Sequence, residues 1–546
     1  MGKSRYYSYM RGFKKDPERF WDDIARSFIW DKPFKRLCSP IEKGPRRWFL
    51  QGKINYSENI LERNIRKGLT NKEILVFYGS DATRKSYTYG SLLVTVKKLC
   101  FFLRKEGVNR RSKVLILLSN ESKELSLLLA LALQRAGAIF GFLYEGFPKD
   151  ARDYYVDKVR ADFLIYDKDI SSFGKKLPKL KMIEKRRLQQ GMSKSACWRT
   201  VALDASEPTF IVFTSGTTAL PKIITSGSLG AFLSTYLFER AYLGFRGNAT
   251  MINTLNFAFA PTFIFYYASL FLANKTVICE DIVFLAKEAK RIIKAERADA
   301  LLAIPSFLDK VEHRTERGLT LIFMSEKMSK PQWEKCKRYF ADSKIVNICG
   351  TAETMAILSS LPMPIKYKKF NQIHFMKPFL GVQYRLSAKD KKGIGKLWIK
   401  NLLPSFCSGY LNDQIGFLKR FDKGHLFFDT MDLAKEKRGY LELLGRSDSL
   451  LKIKGRYLEP AIIEKEVARL KGIKAAKVLF SFNKIYLCVL AKRTAQREKE
   501  INEKICKRVG SYARPVSIYF LKELPKTKTG KIAEQQLWKT VKGISV

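Results

Sequence analysis

Apolar segments of strand length alternate with longer segments of helical period over most of this chain, and that alternation restricts the fold more than any other feature. The strand-length segments of the first half are 74–78, 113–118, 138–144 and 161–167, with a helical segment at 122–137. The same rhythm continues from residue 210 to about residue 400. Strands that alternate with helices in this way favour helices layered on a mostly parallel sheet. We therefore predict an α/β fold with several layers.

The chain divides into three predicted regions. Its 546 residues suggest several domain-sized units. Residues 1–70 are polar and rich in aromatic side chains, and are interpreted as an N-terminal cap. Residues 71–447 carry the strand–helix alternation. Residues 448–546 contain strand patterns at 474–481 and 484–492, which indicate a small α+β unit.

No segment is predicted to cross a membrane. The two most apolar stretches are 125–144, with Gln134 and Arg135 at its middle, and 249–274, with three Asn, three Thr and one Pro. Both are interpreted as buried core, because charge in lipid is expensive and a span needs about 20 predominantly apolar residues. Charged and aromatic residues fill the first 21 positions, where a secretory signal needs an apolar centre. Nine scattered cysteines without a CxxC pair complete the prediction of a cytoplasmic protein with no disulfide framework or zinc site.

Positive charge is in large excess, with 101 Lys and Arg against 52 Asp and Glu and a formal net charge of +49. Taken alone, this charge suggests nucleic acid, an anionic membrane or polyanionic ligands as partners, or a solvated surface without a partner. Zinc-finger spacing, an RNP motif and a basic zipper are absent, so no specific nucleic acid is predicted. Peripheral membrane contact stays open. The segment 175–190 is dense in like charge and is predicted to be an exposed insertion.

A loop rich in Gly, Ser and Thr is the sharpest local signal. The sequence TSGTTALPK, residues 214–222, directly follows the strand pattern 210–213. A glycine permits unusual backbone geometry, hydroxyls and amides donate hydrogen bonds, and the final lysine adds a positive charge. These properties suit a phosphate group, although the spacing is not that of a Walker loop. A polar surface turn is the alternative interpretation.

The same loop resembles the phosphate loop of the AMP-forming adenylating superfamily, which contains acyl-CoA synthetases, peptide-synthetase adenylation domains and luciferases. Further segments resemble that family's other motifs in their usual order: CGTAE at 349–353, TMD at 430–432, GRSD at 445–448, KIKG at 452–455 and PKTKTGKI at 525–532. Near the N-terminus, FWDDIA at 20–25 and WFLQGKINYSEN at 48–59 resemble the cap of acetyl-, propionyl- and acetoacetyl-CoA synthetases. The resemblance covers nearly the whole chain.

This resemblance implies a large adenylation domain, a small mobile C-terminal domain and a reaction in two halves. ATP and a carboxylate give an acyl-adenylate and pyrophosphate, and a thiol then displaces AMP. ATP, Mg²⁺ and CoA are the implied cofactors and substrates. An acidic carrier protein bearing phosphopantetheine is the alternative acceptor. A basic relative that binds membranes or polyanions without catalysis is an alternative of another class.

The resemblance also assigns roles to individual residues. Lys531 is the catalytic cation at the α-phosphate, and Glu353 is catalytic as the Mg²⁺ ligand. Asp432 accepts from the ribose hydroxyls and Arg446 holds ribose and phosphate, while Asp448 is the hinge and Gly455 lies on the CoA side. The remaining residues assigned to ATP or AMP are Thr214, Ser215, Gly216, Thr217, Thr218, Lys222, Glu326, Gly350 and Thr351.

Substrate size is indicated at one position. In acetate-specific members a tryptophan occupies the position of Gly350 and blocks the acyl pocket, so glycine predicts a short- to medium-chain acid longer than acetate. The segment 255–271 is a candidate lining of that pocket, or simply core. Ala352, Tyr457 and Ile462 depart from the family's motifs, and the last two lie on the thiolation side.

Overall fold

A computed structural model gives the fold. It describes residues 2–147, 149–167, 180–191, 200–214, 222–258, 262–315, 318–325, 327–360, 370–447, 451–453, 456–458, 460–481, 484–525 and 534–544. Within these ranges, no helix has both the length and the apolar character that a membrane crossing requires.

Helices and strands alternate along the described chain as the sequence predicts. The helices are α1 (Gly2–Lys15), α2 (Pro17–Ala25), α3 (Tyr56–Ile60), α4 (Glu62–Arg66), α5 (Tyr89–Lys105), α6 (Lys123–Ala136), α7 (Lys149–Val159), α8 (Lys185–Gly191), α9 (Ser228–Leu237), α10 (Thr262–Phe271), α11 (Ile282–Ala295), α12 (Lys330–Tyr339), α13 (Gln414–Leu418), α14 (Pro460–Ala468), α15 (Ala495–Arg508) and α16 (Glu534–Ile544). Short 3₁₀ or π-helical turns are Asn120–Ser122, Phe238–Leu243, Pro305–Lys310, Phe370–His374 and Ser511–Ala513.

The strands are short. They are β1 (Arg36–Cys38), β2 (Trp48–Leu50), β3 (Lys53–Ile54), β4 (Glu73–Tyr78), β5 (Arg84–Thr88), β6 (Lys113–Leu117), β7 (Ile139–Phe142), β8 (Phe163–Tyr166), β9 (Lys181–Glu184), β10 (Leu203–Asp204), β11 (Phe210–Thr214), β12 (Lys222–Ser226), β13 (Thr250–Asn253), β14 (Lys275–Cys279), β15 (Ala300–Ala303), β16 (Thr320–Phe323), β17 (Lys344–Thr351), β18 (Met355–Ser359), β19 (Phe375–Pro378), β20 (Tyr384–Ser387), β21 (Ile394–Lys400), β22 (Gly409–Tyr410), β23 (Phe427–Lys437), β24 (Tyr440–Arg446), β25 (Leu451–Ile453), β26 (Arg456–Leu458), β27 (Ala475–Ser481), β28 (Lys484–Leu490) and β29 (Ser517–Leu521).

Two large mixed sheets form the body of the described chain. In one, seven described strands run in the order β22-β12-β11-β7-β6-β8-β9; in the other, thirteen run in the order β20-β21-β23-β24-β19-β18-β17-β16-β15-β13-β14-β4-β5. The centres are parallel, from β11 to β9 in the first sheet and from β17 to β4 in the second. Central strands such as β4 and β6 are buried on both faces, as parallel strands covered by helices must be. The predicted layered α/β fold is confirmed.

The described residues of both apolar stretches lie mainly in this core. Every residue of α10 is buried, and so is every residue of α6 except Glu124 and Leu125. α6 ends at Gly137, which takes the left-handed conformation (φ 76°) that glycine permits. Arg135 stays inside because Glu62 pairs with it at 2.7 Å. The charge of Arg135, which argued against a membrane span, therefore lies in the protein core and is paired with a carboxylate.

The N-terminal region shares the core of the large unit. Its aromatic residues pack on one another and on the helices beyond residue 200: Trp21 lies 6.4 Å from Trp48, ring centre to ring centre, and Phe28 stacks on Phe271 at 4.6 Å. The aromatic content noted in the sequence is explained by this packing.

The C-terminal region forms a separate small core. β27 pairs antiparallel with β28, and β28 pairs parallel with β29. Buried side chains of α14 and α15, among them Ile463 and Ile505, pack with Leu487 of β28. A large α/β unit is therefore followed by a small α+β unit. The boundary at 447/448 stays a prediction, since residues 448–450 lie outside the described chain.

The interpretation of 175–190 as an exposed insertion is wrong for its described part. Residues 181–184 form β9, which pairs in parallel with β8 at the sheet edge, and α8 follows directly. Ile183 and Leu188 are fully buried. The basic side chains point outward, and Lys181 and Arg187 both pair with Glu106, at 3.0 and 2.8 Å. An edge strand can hold dense charge because only alternate side chains face the core.

Candidate functional site

The predicted phosphate loop bridges two paired strands. β11 ends at Thr214 and β12 begins at Lys222, and these two residues are opposite each other in the antiparallel pair. β11 is also parallel to β7, so the loop leaves the carboxyl end of a central strand, where α/β proteins bind ligands. Residues 215–221 themselves, with Ser215, Gly216, Thr217 and Thr218, lie outside the described chain.

Lys222 leads into a cluster of four polar side chains. Its ammonium lies 4.9 Å from the ring centre of Tyr410 and 3.4 Å from the Tyr410 hydroxyl. That hydroxyl donates to Oε1 of Glu353 at 2.5 Å. Arg420 donates to the Tyr410 hydroxyl at 3.1 Å and lies 3.5 Å from the same carboxylate oxygen. We call Lys222, Glu353, Tyr410 and Arg420 the charged cluster.

Several elements hold this cluster in place. β22 pairs with β12, with Tyr410 opposite Ile224, which sets the tyrosine beside Lys222. The Arg420 guanidinium donates to the Asp429 carbonyl oxygen at 2.8 Å and lies over the Phe428 ring. Cation–ring contact and a backbone acceptor leave that side chain little freedom. The cluster is therefore preorganised by the sheet edge.

Glu353 is ionised although it is buried. It occupies the turn between β17 and β18, and its carbonyl oxygen accepts from the Cys407 N–H at 2.7 Å. Burial alone would raise the pKa of Glu353, but the charge of Arg420, the Tyr410 hydrogen bond and the charge of Lys222 outweigh burial and lower it. A buried carboxylate that stays charged near neutral pH suits a role as a cation ligand.

The segment before Glu353 belongs to a strand. β17 continues to Thr351, so Gly350 lies inside it. A register shift between Cys349 and Gly350 marks a bulge in the pair with β18. A Cβ built on Gly350 would overlap the Met355 carbonyl oxygen and lie 2.7 Å from the Met355 carbonyl carbon. The bulge is the reason the position requires glycine.

We expect Gly350→Ala to lower the free energy of unfolding by about 2 kcal/mol, because the new methyl group meets backbone that cannot rotate away. The change in the free energy of unfolding is measured by chemical denaturation, and an unchanged m-value shows that the shift in midpoint reports stability. Gly424→Ala is the matched control, since its Cβ would make ordinary contacts with Leu426 at 3.7 Å and its backbone is not left-handed. Equal stability of the two variants would contradict the packing argument.

Asp432 and Arg446 face each other on β23 and β24. Arg446 donates to the Thr430 carbonyl oxygen at 3.2 Å, and Thr430 Oγ1 accepts from the Asp432 N–H at the same distance. Burial raises the pKa of Asp432 to about 6, although Arg446, Thr430 and Arg420 oppose the shift. Met431 between them has φ 65°, a left-handed backbone that favours glycine. A methionine, not a glycine, holds this conformation here.

Seven of the predicted site residues are described, and they fall near one edge of the sheets: Thr214, Lys222, Gly350, Thr351, Glu353, Asp432 and Arg446. The charged cluster and the Asp432–Arg446 pair influence each other electrostatically, since Arg420 lowers and Glu353 raises the pKa of Asp432. Thr351 Oγ1 lies 2.9 Å from Thr354 Oγ1. Glu326, Asp448, Gly455 and Lys531 lie outside the described chain, and their roles stay predictions.

Tyr410 and Arg420 were missed from the sequence. Each reaches Glu353 across more than fifty residues of chain, so no local spacing connects them. Only the pairing of β22 with β12, and of Arg420 with β23, brings them together. A motif search cannot detect a partner that is defined by sheet topology.

A magnesium ion fits the carboxylate that Glu353 provides. Among the described residues no group of three or more His, Cys, Asp or Glu side chains could hold a metal by itself. Mg²⁺ is commonly bound by one or two carboxylates plus substrate phosphates. Glu353, held ionised near Lys222, provides one such carboxylate, with Oε1 already used by Tyr410 and Arg420.

Comparison with known proteins agrees with the geometry. The AMP-binding enzyme family model matches residues 61–411, the model of the acetyl-coenzyme A synthetase N-terminus matches residues 6–60, and the model of the AMP-binding enzyme C-terminal domain matches residues 463–531. The large model alone covers more than half of the chain.

Individual relatives span nearly the whole chain. Human "Acyl-CoA synthetase short-chain family member 3, mitochondrial" is 24% identical over 99% of this chain and 88% of its own length. "Acetyl-coenzyme A synthetase" of Deinococcus radiodurans is 23% identical over 98% and 91%. Among solved structures, acetoacetyl-CoA synthetase from Streptomyces lividans superposes with a TM-score of 0.78 at 16% identity, covering 98% of this chain and 90% of that one. At 16% identity, the superposition shows a shared fold and nothing further.

Proposed function

Because the chain belongs to the AMP-binding enzyme family, we propose that it activates a carboxylic acid with ATP and passes the acyl group to CoA. In the first half, a carboxylate oxygen attacks the α-phosphorus, an acyl-adenylate forms and pyrophosphate leaves. In the second half, the CoA thiol attacks the acyl carbon and AMP leaves. The observation that carries this proposal is the charged cluster next to residues 215–221, which joins Lys222, the lysine predicted to bind phosphate, to a buried, ionised carboxylate.

The described residues have distinct roles in this proposal. Lys222 supplies positive charge to the β- and γ-phosphates, and Glu353 would hold Mg²⁺ beside them. The ion, when bound, neutralises phosphate charge. Tyr410 and Arg420 position the Glu353 carboxylate and keep it ionised. Asp432 accepts hydrogen bonds from the ribose hydroxyls, and Arg446 lies opposite it. Each role is electrostatic or positional, as expected for transfer at phosphorus.

For the acid, we propose a chain longer than acetate. The backbone of β18 lies so close to Gly350 that even a Cβ overlaps it, and the tryptophan that blocks the pocket of acetate-specific members has no room on this backbone. Buried methylenes add about 0.8 kcal/mol each, so the preference should be graded with chain length. Relatives named acetyl-CoA synthetases make acetate the natural reference acid.

Pyrophosphate release over a panel of straight-chain acids from two to eight carbons, with and without CoA and with Mg²⁺ or EDTA, tests the proposal. We expect release that needs both an acid and Mg²⁺, with acids of four or more carbons preferred over acetate. If none of the acids in the panel supports pyrophosphate release, the assignment is contradicted, and a relative that binds polyanions without catalysis is favoured. Faster acyl transfer to a carrier protein than to CoA would favour the alternative acceptor, which no relative named above supports.

Adenosine binding should weaken at acidic pH through Asp432. Because its pKa lies at about 6, the carboxylate is mostly ionised at pH 7 and about nine-tenths protonated at pH 5, when it accepts one hydrogen bond fewer. We expect the Kd of adenosine to rise about tenfold between pH 7 and pH 5. Adenosine is chosen because the phosphate of AMP titrates in the same range.

The Asp432→Asn variant is the control for that experiment. It should bind adenosine weakly at both pH values, with a flat profile. A wild-type Kd that does not change between pH 7 and pH 5, or a variant with the same slope as the wild type, would remove Asp432 from the ribose site.

A further inference from the structure

An asparagine just beyond the charged cluster connects two distant segments of the chain. Asn412 follows β22 and is half-buried. Its side-chain oxygen accepts from the Ile223 N–H at 3.1 Å, and its side-chain nitrogen donates to the Tyr154 hydroxyl at 3.1 Å. The Leu411 N–H donates to the Ile223 carbonyl oxygen at 2.7 Å. Both backbone polar groups of Ile223, the residue after Lys222, are therefore held by the segment that contains Asn412.

The helix α7, which carries Tyr154, also contacts the other strand of the pair. Tyr155 is fully buried, and its hydroxyl donates to the Thr214 carbonyl oxygen at 3.5 Å. Thr214 is the last residue of β11 and lies opposite Lys222 of β12. The neighbouring Tyr154 reaches β12 through Asn412. One helix is thus tied to the end of β11 and to the start of β12.

α7 is a firm support for these contacts. Its buried side chains Ala151, Tyr155, Val156 and Val159 share a hydrophobic cluster with side chains of β6, β8 and β11. Because protein interiors are close-packed, a helix seated in this way holds its hydroxyl groups in fixed places. β12 lies near the edge of the same sheet, and the described strand beyond it, β22, is two residues long. The contact between Asn412 and Tyr154 therefore connects this edge to the centre of the sheet.

We propose that Asn412 is a positioning residue, which together with Tyr154 fixes the start of β12 and so places the Lys222 ammonium for the β- and γ-phosphates of ATP. The inference rests on the proposed function for the identity of that ligand. A lysine side chain is flexible, so its direction depends on its backbone and on what it packs against. Asn412 bonds the residue after Lys222 and lies two residues from Tyr410, whose ring packs against the ammonium. Misplacement of a contact group by about 1 Å can cost about a hundredfold in rate.

Binding of ATP and of adenosine to the full-length protein tests the inference. Both dissociation constants are measured by calorimetry with Mg²⁺ present and with acid and CoA omitted, so that no turnover occurs. The ratio of the adenosine Kd to the ATP Kd reports what the phosphates contribute. We expect Asn412→Ala to lower this ratio about tenfold, with the adenosine Kd unchanged, because two hydrogen bonds that place Lys222 are lost. An unchanged ratio, or an equal loss of affinity for both ligands, would overturn the inference.

Tyr154→Phe tests the connection to α7. It removes one hydroxyl and keeps the ring, which lies 5.9 Å from the Tyr155 ring. We expect the ratio to fall about threefold. The double variant should resemble Asn412→Ala, since both changes break the same contact. Additive losses, or an unchanged ratio in Tyr154→Phe, would overturn the inference, and Tyr154→Phe decides alone if Asn412→Ala fails to fold.

Asn59→Ala is the matched control. Asn59 is buried in the N-terminal region, and its amide also joins two segments, since it accepts from the Ile29 N–H and donates to the Ile29 carbonyl oxygen, both at 2.8 Å. We expect a lower thermal midpoint and a ratio equal to that of the wild type. An equal fall of the ratio in Asn59→Ala and Asn412→Ala would show a general effect of destabilisation and overturn the inference.

The proposed function and this inference can fail separately. Pyrophosphate release by the wild type, with an unchanged binding ratio in Asn412→Ala, would remove the positioning role and leave the reaction. A ratio that depends on Asn412, without pyrophosphate release from any acid, would keep the positioning role and remove the reaction. Binding of neither ATP nor adenosine by the wild type would overturn both.

Discussion

Lys531→Ala should reduce carboxylate-dependent pyrophosphate release at least a hundredfold. Attack on the α-phosphorus accumulates negative charge, and one well-placed cation or donor is typically worth a factor of 10² to 10³. Lys531 lies outside the described chain, so its role depends on the PKTKTGKI segment, which resembles the family motif that carries this lysine. Initial rates at saturating ATP measure the effect.

The second half-reaction provides an internal control. It begins from a finished acyl-adenylate, and no attack on phosphorus occurs in it. Synthetic acyl-adenylate and CoA should therefore react in Lys531→Ala at a rate close to that of the wild type. Lys528→Ala, in the same segment, should affect neither half strongly. Equal losses of rate in the two half-reactions, or equal losses in Lys531→Ala and Lys528→Ala, would contradict the assignment. They would show that the segment is needed for folding and that the charge of Lys531 has no specific role in catalysis.

Glu353→Gln should lower the first half-reaction about a hundredfold and raise the Mg²⁺ concentration that gives half of the maximal rate. The amide keeps the shape, and its oxygen can still accept from Tyr410 and Arg420, so the charged cluster should remain assembled. What is lost is the negative charge that a hard cation needs. Magnesium titrations of pyrophosphate release at fixed ATP measure both effects.

Tyr410→Phe is the matched variant for that experiment. It removes one hydrogen bond to Glu353 but keeps the carboxylate and the ring beneath Lys222. We expect a loss of about tenfold to a hundredfold, with the Mg²⁺ dependence little changed, since one hydrogen bond to a charged group contributes about 1.5–3 kcal/mol and each 1.36 kcal/mol is tenfold in rate. A Glu353→Gln variant with wild-type Mg²⁺ dependence would place the ion elsewhere.

Much of the fold could be predicted because local sequence patterns determine its strands and helices. The strand β4 and the helix α6 follow from apolar patterns that extend over a few residues, and the burial of α10 follows from its apolar composition. The described part of 175–190 was misjudged for a physical reason: charge density indicates what faces water, but it does not exclude buried side chains between the charged ones, here Ile183 and Leu188.

The site residues that lie in motifs could be predicted from the sequence, but the side chains that contact them could not. Thr214, Lys222, Glu353 and Asp432 stand in segments that resemble a family. Arg420 has no such segment, and its contact with Glu353 depends on how two sheet edges meet.

In the proposed reaction, the carboxylate itself attacks the α-phosphorus of ATP. Isotope transfer tests this most directly: the acid is labelled with ¹⁸O in both carboxylate oxygens, and AMP is examined by mass spectrometry after turnover with CoA. An acyl-adenylate route leaves one carboxylate oxygen on the phosphate of AMP, so we predict AMP carrying one ¹⁸O for each thioester formed. Unlabelled AMP, or label in inorganic phosphate instead, would contradict the proposed reaction.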